Sequence, residues 1–440
     1  MIQMLYSPRR IPVLCRGEVV VAGAGVAGVA AAIQAARANR RVILLEKNNC
    51  AGGILSSGLL PSVIHMSDGE HLLASGICRE MVDRVAGAMN RPANYCWFNA
   101  HPEAVKRVLD EMLSEAHVTV LYNVHLCDAL TEKGRIRAAV VMTPNGLAAV
   151  GGKIFIDATG DGLLAMLAGA PFEYGAAADG EVMAPTLCSY FTRINFDAVP
   201  EKRRENGLGR KEWQAAMTEG RAPLAEGHFV GLFRNGPDSG TGNLGHIYHT
   251  DVLDPFSLSH ACVEGRKQAW IFRDFFRKEV PGFEQAELSA TAGLLGVRES
   301  RRVMGEYVLN EEDYASRRHF EDEIGCFAYA IDIHSGIADI ARQANVEPAI
   351  AARSYARGEN YGIPYRALLP RQTVNLLTAG RCISTDRAMQ SSIRVVPGCM
   401  ITGQASGVAA ALALGRRQSL RRVPVAQIQE LLRRGGCYLP

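Results

Sequence analysis

The sequence predicts an α/β fold: a Rossmann-like nucleotide-binding domain assembled from distant pieces of the chain, with a mixed α+β domain inserted into it. Three observations predict it. Residues 19–37, VVVAGAGVAGVAAAIQAAR, set three glycines between a valine run and an alanine run. Arg41-Val-Ile-Leu-Leu-Glu46 follows as a second apolar segment ending in a carboxylate. Near the C-terminus the same grammar returns, a short apolar strand at Val374 to Ala379 and then, from Cys399 to Leu414, a helix dominated by Gly, Ala and Ser.

The first strand is expected from Glu18 to Ala22, the turn at Gly23-Ala24-Gly25, and a small-residue helix to about Asn39. Gly23 permits the tight turn, Gly25 lets the backbone approach a pyrophosphate, and Gly28 lets helix and strand pack closely. Helix N-terminal amides then face the phosphates. Glu46 sits where a carboxylate accepts both ribose hydroxyls, which favours a 2′-OH over a 2′-phosphate. The competing reading is a plain βαβ unit whose glycines serve packing alone. A second match to the pattern, Gly240-Thr-Gly242-Asn-Leu-Gly245, supplies a control: it follows Gly236-Pro-Asp-Ser rather than a strand, precedes His246-Ile-Tyr-His249 rather than a helix, and reads as a loop.

Residues 61–100 are mixed, and Pro102 to Ala116 is an amphipathic helix with proline in its first turn. From His117 to Ile156 the pattern alternates, with turn signals at Glu132-Lys-Gly134 and Pro144-Asn-Gly146, which predicts a small β-meander. It ends in Lys153-Ile-Phe-Ile-Asp157, a buried strand entering Ala158-Thr-Gly-Asp-Gly162. Residues 169–371 are more polar, with aromatics and turns interleaved, as suits a substrate domain; Asn310 and Asp313 have capping-box spacing before a short helix. Arg416 to Pro440 is basic and reads as a solvated tail containing a helix over Val425 to Arg434.

Composition bounds the function. A chain of 440 residues with 48% hydrophobic content buries a large core and divides into two domains. A net charge of +3 with interspersed signs argues against a nucleic-acid or membrane surface. The 11 cysteines are scattered without a CxxC pair, which predicts reduced thiols and no metal site. The apolar stretch Val19 to Ala36 is neither signal peptide nor membrane span, since Cys15-Arg-Gly-Glu18 places charge before it and Gly23, Gly25 and Gly28 interrupt it. No other stretch reads as long enough to span, and the expected location is the cytoplasm.

Gly52-Gly53 soon after Glu46, the late strand into Ala158-Thr-Gly160, and the return at Ala379-Gly380-Arg381 are hard to explain with a nicotinamide fold alone. Together they suggest a ligand reaching from the first strand to the last.

On these residues the sequence resembles the FAD-dependent oxidoreductases of the glutathione-reductase-like flavoprotein superfamily. The carriers are Val19 to Gly28 with Glu46 and Gly52-Gly53; Asp157-Ala-Thr-Gly-Asp-Gly162; Gly296-Val-Arg-Glu-Ser-Arg-Arg302 leading to Gly305-Glu-Tyr-Val-Leu309; Ile331-Asp-Ile-His334; Gly362-Ile-Pro-Tyr-Arg366; and Ala379-Gly-Arg-Cys-Ile-Ser384 followed by Gly403-Gln-Ala-Ser-Gly-Val-Ala-Ala410. The resemblance covers most of the chain. It implies a three-layer ββα FAD domain with its meander, over residues 17–60, 101–168 and 372–420. A substrate or cap domain would take 61–100 and 169–371, and a helical tail 421–440. It further implies that Gly23, Gly25 and Gly28 approach the FAD pyrophosphate, that Glu46 holds the adenosine ribose with Lys47 beside it, and that Val124 meets the adenine through its backbone. Ala158, Thr159 and Gly160 would pass the adenosine half, and Gly380 with Arg381 the ribityl chain. Amides near Ile401 and Thr402 would face the pyrimidine edge of the flavin, where a helix N-terminus stabilises negative charge. Many relatives carry Gly-Asp where this chain has Gly380-Arg381, so Arg381 is offered to a phosphate instead.

The flavin carries the redox step, and the protein positions substrate and governs proton transfer. His334, in Asp332-Ile-His334, is the candidate general acid or base, against the alternative of a hydrogen-bonded structural histidine. Arg298 and Arg394 are candidate clamps for a substrate carboxylate or electron-rich oxygen. Arg298, Arg301 and Arg302 lie close to Glu299 and Glu306, and a salt-bridge network is expected for at least two of the three. Tyr365 is a further candidate, with packing as its alternative. No CxxxxC pair follows Gly52-Gly53 and no second βαβ motif occupies the middle, which argues against a disulfide reductase and a built-in nicotinamide domain. The expected activity is hydride transfer between a small polar substrate and flavin N5, with a separate electron acceptor or donor and a possible homo-oligomer. The rival expectation is a flavin-binding relay subunit of a larger complex, without its own substrate.

Overall fold

The computed structural model describes residues 10–201, 205, 207–227, 229–338 and 354–440. Five short strands, β1 (Val19–Ala22), β2 (Val42–Leu45), β3 (Thr119–Leu121), β4 (Ile154–Asp157) and β5 (Leu376–Thr378), form a parallel sheet in the order β5-β4-β1-β2-β3. The predicted α/β class is therefore found. The sheet order also brings Thr378 directly beside Asp157. Val19, Val20 and Val21 are fully buried because helices cover one face and a second sheet the other, which is why β1 reads as an unbroken valine run.

Alternation sorts the side chains between layers. Val19, Val21, Val42 and Leu44 face the helices, whereas Val20, Ala22, Ile43, Leu45 and Phe155 face the meander. The meander strands His125–Glu132, Arg135–Thr143 and Gly146–Gly151 are antiparallel, and Val13–Arg16 adds a fourth strand parallel to the last of them. Their two turns are those the sequence signals, with Lys133, Gly134 and Gly146 at positive φ.

In the helical layer, Val26–Arg37 crosses the C-terminal helix Val396–Arg416 at close range. A Cβ on Gly403 would lie 2.2 Å from the Ala27 carbonyl oxygen, and one on Gly407 2.5 Å from that of Ala31. The alanine-rich composition of both helices follows from this contact. Helices Ile77–Ala88 and Pro102–Glu115 pack into the same core through Met81, Val82, Val108 and Leu109. Val396–Arg416 is long and apolar enough to cross a membrane, a property the sequence reading credits to no stretch beyond Val19 to Ala36. With 83% of its apolar window buried in the protein, core packing accounts for its apolarity.

Within 169–371, the strands Ser189–Thr192, Gly231–Arg234, Gly240–Asn243 and Glu287–Thr291 form an antiparallel sheet. Helix Pro255–Glu279 packs on it through an aromatic core of Trp213, Phe229, Phe272, Phe275, Phe276 and Phe283. The second glycine pattern is thus corrected from loop to strand. Its glycines are there because a Cβ at Gly240 would lie 2.4 Å from Leu232 Cδ2, and one at Gly242 2.5 Å from Leu244 Cδ1. Asn310 and Asp313 close the expected capping box on Glu311–Ala315. The basic C-terminal segment is docked rather than solvated, since Ile428 and Leu432, one helical turn apart on Val425–Arg434, are buried in the main core.

Candidate functional site

The first glycine turn has the geometry of a phosphate cradle. Gly23 has φ +93°, and a Cβ there would sit 2.5 Å from the Ala158 carbonyl oxygen; one on Gly28 would sit 1.8 Å from that of Gly23. A Cβ on Gly25 would meet nothing within 4 Å, so this backbone faces open space at the N-cap of helix Val26–Arg37, where no side chain caps the helix. Gly52 donates its N–H to the Ala24 carbonyl at 2.8 Å, and a Cβ on Gly53 would lie 3.0 Å from Gly25 Cα. The two glycine turns therefore lie against each other.

Glu46, buried at the end of β2, reaches back to the turn. Its Oε2 accepts the Ala24 N–H at 2.7 Å, and its Oε1 accepts the backbone and side-chain N–H groups of Asn48 at 2.8 and 2.7 Å. A carboxylate has about four acceptor positions, so capacity for a ribose hydroxyl remains beside these three bonds. Lys47 is exposed. Val124 is buried on the meander side and donates its N–H to the Glu46 carbonyl at 3.0 Å, which fixes the loop under Glu46.

At the end of β4, Asp157 organises the segment that passes the glycine turn. Its Oδ1 accepts from Thr159 N and Oγ1, and its Oδ2 from Ala165 N at 2.8 Å; Gly160 and Gly162 take positive φ. Across the sheet, Gly380 donates its N–H to Thr402 Oγ1 at 3.0 Å. Arg381 pairs with Asp161 at 2.6 Å and donates to Ser300 Oγ at 3.2 Å, so this cation is held by a carboxylate of the chain itself. The C-terminal helix begins at Val396, with Pro397 in its first turn, rather than at Cys399. Ile401 and Thr402 therefore lie inside the helix. The expectation of terminal amides there is corrected to Val396 and Gly398, because only the first four N–H groups of a helix lack an intrahelical acceptor.

Beyond β5, buried polar atoms without a hydrogen-bond partner among the described residues gather in one stretch: Ser384 Oγ, Thr385 Oγ1, Gln390 Oε1 and Arg394 Nε. Buried polar groups are normally paired. An open glycine cradle at one end and unpaired polar groups after the last strand are what an extended dinucleotide would use, so the residues present fit the ligand expected.

Next to this stretch lies a buried row of titratable groups. His334 is 5% exposed; its Nδ1 is 2.9 Å from His246 Nε2, and its Nε2 is 3.0 Å from Asp332 Oδ1. His246 Nδ1 lies 3.1 Å from both oxygens of Glu226, which also accepts the His246 backbone N–H at 2.8 Å and the Tyr248 hydroxyl. At the other end Asp332 Oδ2 accepts from the Tyr329 hydroxyl at 2.9 Å and from Arg394 Nη2 at 3.3 Å. The Asp332 N–H is held by Ser391 Oγ at 2.9 Å, and Gln390 Nε2 donates to the Arg298 carbonyl at 2.9 Å. Both arms are thus pinned to the segment that leads into the C-terminal helix. Burial opposes the charge of Asp332, yet His334, Arg394 and Tyr329 together hold its carboxyl below the ordinary carboxylate range.

Three of the four candidate catalytic residues converge here. Arg298 donates Nη1 to the Ala184 carbonyl and to Thr186 Oγ1 at 2.9 Å, and among the described residues it forms no ion pair. Burial and neighbouring Arg394 push its pKa down to about 10. Arg302 instead pairs with Glu299 at 2.7 Å, and Arg301 lies over the Phe172 ring; Glu306 pairs with Arg421. Tyr365 stands elsewhere: its ring joins the main core and its hydroxyl donates to the Leu420 carbonyl at 3.0 Å. Sequence reasoning missed Glu226 and His246. The available signal was His246 directly after Gly245, passed over with the second glycine pattern.

His319, Glu323 and Cys326 are the group of metal-ligand type among the described residues. His319 Nδ1 lies 3.0 Å from Glu323 Oε2, and burial pushes the Cys326 thiol well up, so the group reads as a histidine–carboxylate contact beside a neutral thiol.

Residues 18–432 match the family described as FAD dependent oxidoreductase, and the chain belongs to it. It is an FAD-dependent oxidoreductase whose cofactor is FAD. Among solved structures it is similar to a geranylgeranyl bacteriochlorophyll reductase-like protein from Thermoplasma acidophilum, at 11% identity over 95% of this chain and 83% of that one, with a TM-score of 0.48. It is also similar to L-proline dehydrogenase from P. horikoshii, at 12% identity over 97% and 99% of the two chains, with a TM-score of 0.44. No curated protein sequence matches the chain.

Proposed function

We propose that the protein transfers a hydride between a small polar organic molecule and flavin N5, at a CH–OH, CH–NH or CH–CH bond, with electrons exchanged through a separate acceptor or donor. FAD, when bound, supplies the hydride acceptor or donor. Gly23, Gly25 and Gly53 present the backbone to its pyrophosphate, Glu46 takes the ribose, and the segment 380–398 runs beside the remainder.

The observation that carries the reading is the gathering of Arg298, Arg394, Asp332 and His334 beside the segment that enters the C-terminal helix. Arg298, with burial working against its charge and no described ion-pair partner, is suited to an anionic or electron-rich substrate oxygen. Arg394 and Tyr329 orient Asp332, and His334 with His246 behind it are the groups placed to pass a proton, burial lowering the pKa of both imidazoles. We also place the chain in the glutathione-reductase-like superfamily and in the cytoplasm, with the cap formed by 61–100 and 169–371.

The test is anaerobic reduction of the purified flavoprotein by a panel of alcohols, amines and carboxylic acids, read as bleaching of flavin absorbance. Bleaching by at least one class, suppressed in His334→Gln at unchanged flavin content, is expected. If no member bleaches the flavin while dithionite does, the reading falls and a relay subunit takes its place.

A further inference from the structure

We propose that Asp161 withholds Arg381 from the FAD pyrophosphate: the two side chains stand beside the glycine cradle as a neutral pair, Arg381 is the counter-ion of Asp161 rather than a phosphate ligand, and Asp161 thereby sets how tightly the flavin is held. The inference rests on the cofactor alone and is independent of the substrate proposed above.

The pair stands where two chain segments touch the first glycine turn. A Cβ on Gly23 would lie 2.5 Å from the Ala158 carbonyl oxygen and 2.9 Å from Thr159 Cα, and one on Gly160, the next residue, would lie 3.0 Å from Arg381 Nη2. From the other side, a Cβ on Gly380 would lie 2.8 Å from Ala27 Cβ, in the first turn of helix Val26–Arg37. A guanidinium so placed is the natural cation for a phosphate at that helix N-terminus. Its hydrogen bonds go elsewhere. Nη2 donates to Asp161 Oδ1 at 2.6 Å and Nη1 to Ser300 Oγ at 3.2 Å, while Ser300 Oγ donates to the same Oδ1 at 2.8 Å. The three groups tie the end of β4 to the turn after β5 and to the inserted region, and Arg301 Nη1 adds a bond to the Asp161 carbonyl at 3.3 Å.

Charge decides what an incoming pyrophosphate meets. Burial opposes ionisation of Asp161, yet Arg381, Ser300 and Lys47 together hold its carboxyl below the ordinary carboxylate range, so the pair carries one charge of each sign at neutral pH. The carboxylate is the more open member, with 38% of its side chain accessible against 16% for Arg381. Turning Arg381 to a phosphate would break a charge-assisted bond of 2.6 Å and leave a bare carboxylate beside a second anion. The phosphates are left to the open backbone at Gly25 and the helix N–H groups that no side chain caps, helped by the charge of Lys47 that is felt at Asp161.

The experiment is flavin release from the full-length holoprotein on serial dilution, read as recovery of free-flavin fluorescence, in wild type, Asp161→Asn, Arg381→Gln and the double variant. Asp161→Asn keeps the oxygen that accepts from Ser300 and Arg381 but removes the charge, so FAD should bind about tenfold tighter. Arg381→Gln leaves the carboxylate uncompensated, and FAD should bind at least about tenfold more weakly. The double variant restores neutrality and should return to within about threefold of wild type. A double variant as weak as Arg381→Gln, or an Asp161→Asn no tighter than wild type, overturns the inference. Should Arg381→Gln fail to fold with flavin, the salt dependence of release decides between wild type and the double variant. Equal slopes are expected, and a shallower slope in the double variant, the mark of a lost phosphate contact, overturns the inference. No turnover is read, so a failed substrate panel leaves this result standing.

Discussion

Gly403 sits so close to Ala27 that a Cβ on it would lie 2.2 Å from the Ala27 carbonyl oxygen. This contact joins the helix after the first glycine turn to a helix that begins 370 residues further along the chain, at Val396. Gly403→Ala should cost about 1–3 kcal/mol through overpacking. Because the obstructing atom belongs to backbone rather than to a flexible side chain, relief requires the helices to separate. Flavin content should fall with the denaturant midpoint, and an unchanged midpoint would show that the contact yields without cost.

Glu46→Ala should weaken FAD binding by more than the loss of one ribose contact. The substitution also strands the buried Ala24 N–H inside the glycine turn, at about 1–3 kcal/mol for an unsatisfied donor. Titration of apoprotein with FAD, followed by flavin fluorescence, checks this. Glu46→Gln, which keeps an acceptor oxygen, should lose less.

A pH-dependent cap is expected at His101. Its Nδ1 accepts the Glu103 N–H at the start of helix Pro102–Glu115, and its Nε2 meets the Tyr190 hydroxyl at 2.9 Å. Burial lowers the pKa of His101 below the ordinary histidine value. The folded state therefore binds this proton more weakly than the unfolded chain. The stabilisation is complete above the unfolded pKa of about 6.5 and declines as pH falls below it. Urea midpoints at two pH values either side of 6 should differ more in wild type than in His101→Asn, which caps at any pH.

Arg298→Gln should raise the half-saturating concentration of an anionic substrate at least about tenfold, since hydrogen bonds to charged groups contribute roughly 1.5–3 kcal/mol. The limiting rate of flavin reduction should change less. Stopped-flow reduction over a concentration series separates the two, and a change confined to the limiting rate would remove Arg298 as a substrate clamp.

The nucleotide-binding half was legible because its chemistry is local. Gly23, Gly25, Gly28 and Glu46 lie within 24 residues, and both the positive φ of Gly23 and the approach of Gly28 to the Gly23 carbonyl belong to the turn itself. The meander turns at Gly134 and Gly146 were readable for the same reason. His334 and its two arginines were found by residue type, but not the partners that define their chemistry. Glu226 and His246 come from a strand-and-loop region that a glycine pattern made look unstructured, and nothing in their spacing from His334, 88 residues on for His246, records a contact of 2.9 Å.

By itself, then, the amino-acid order determined the α/β class, the cradle for a dinucleotide, and the return of the last strand and small-residue helix to the first turn, because periodicity and glycine placement are properties of short segments. Tertiary structure alone decided that Arg381 faces Asp161, that Arg302 is neutralised while Arg298 is not, and that two carboxylates enclose two imidazoles. Those outcomes depend on which side chains share a buried volume, and in a protein interior the cost of an unpaired charge or lone pair is set by neighbours in space, whatever their distance along the chain.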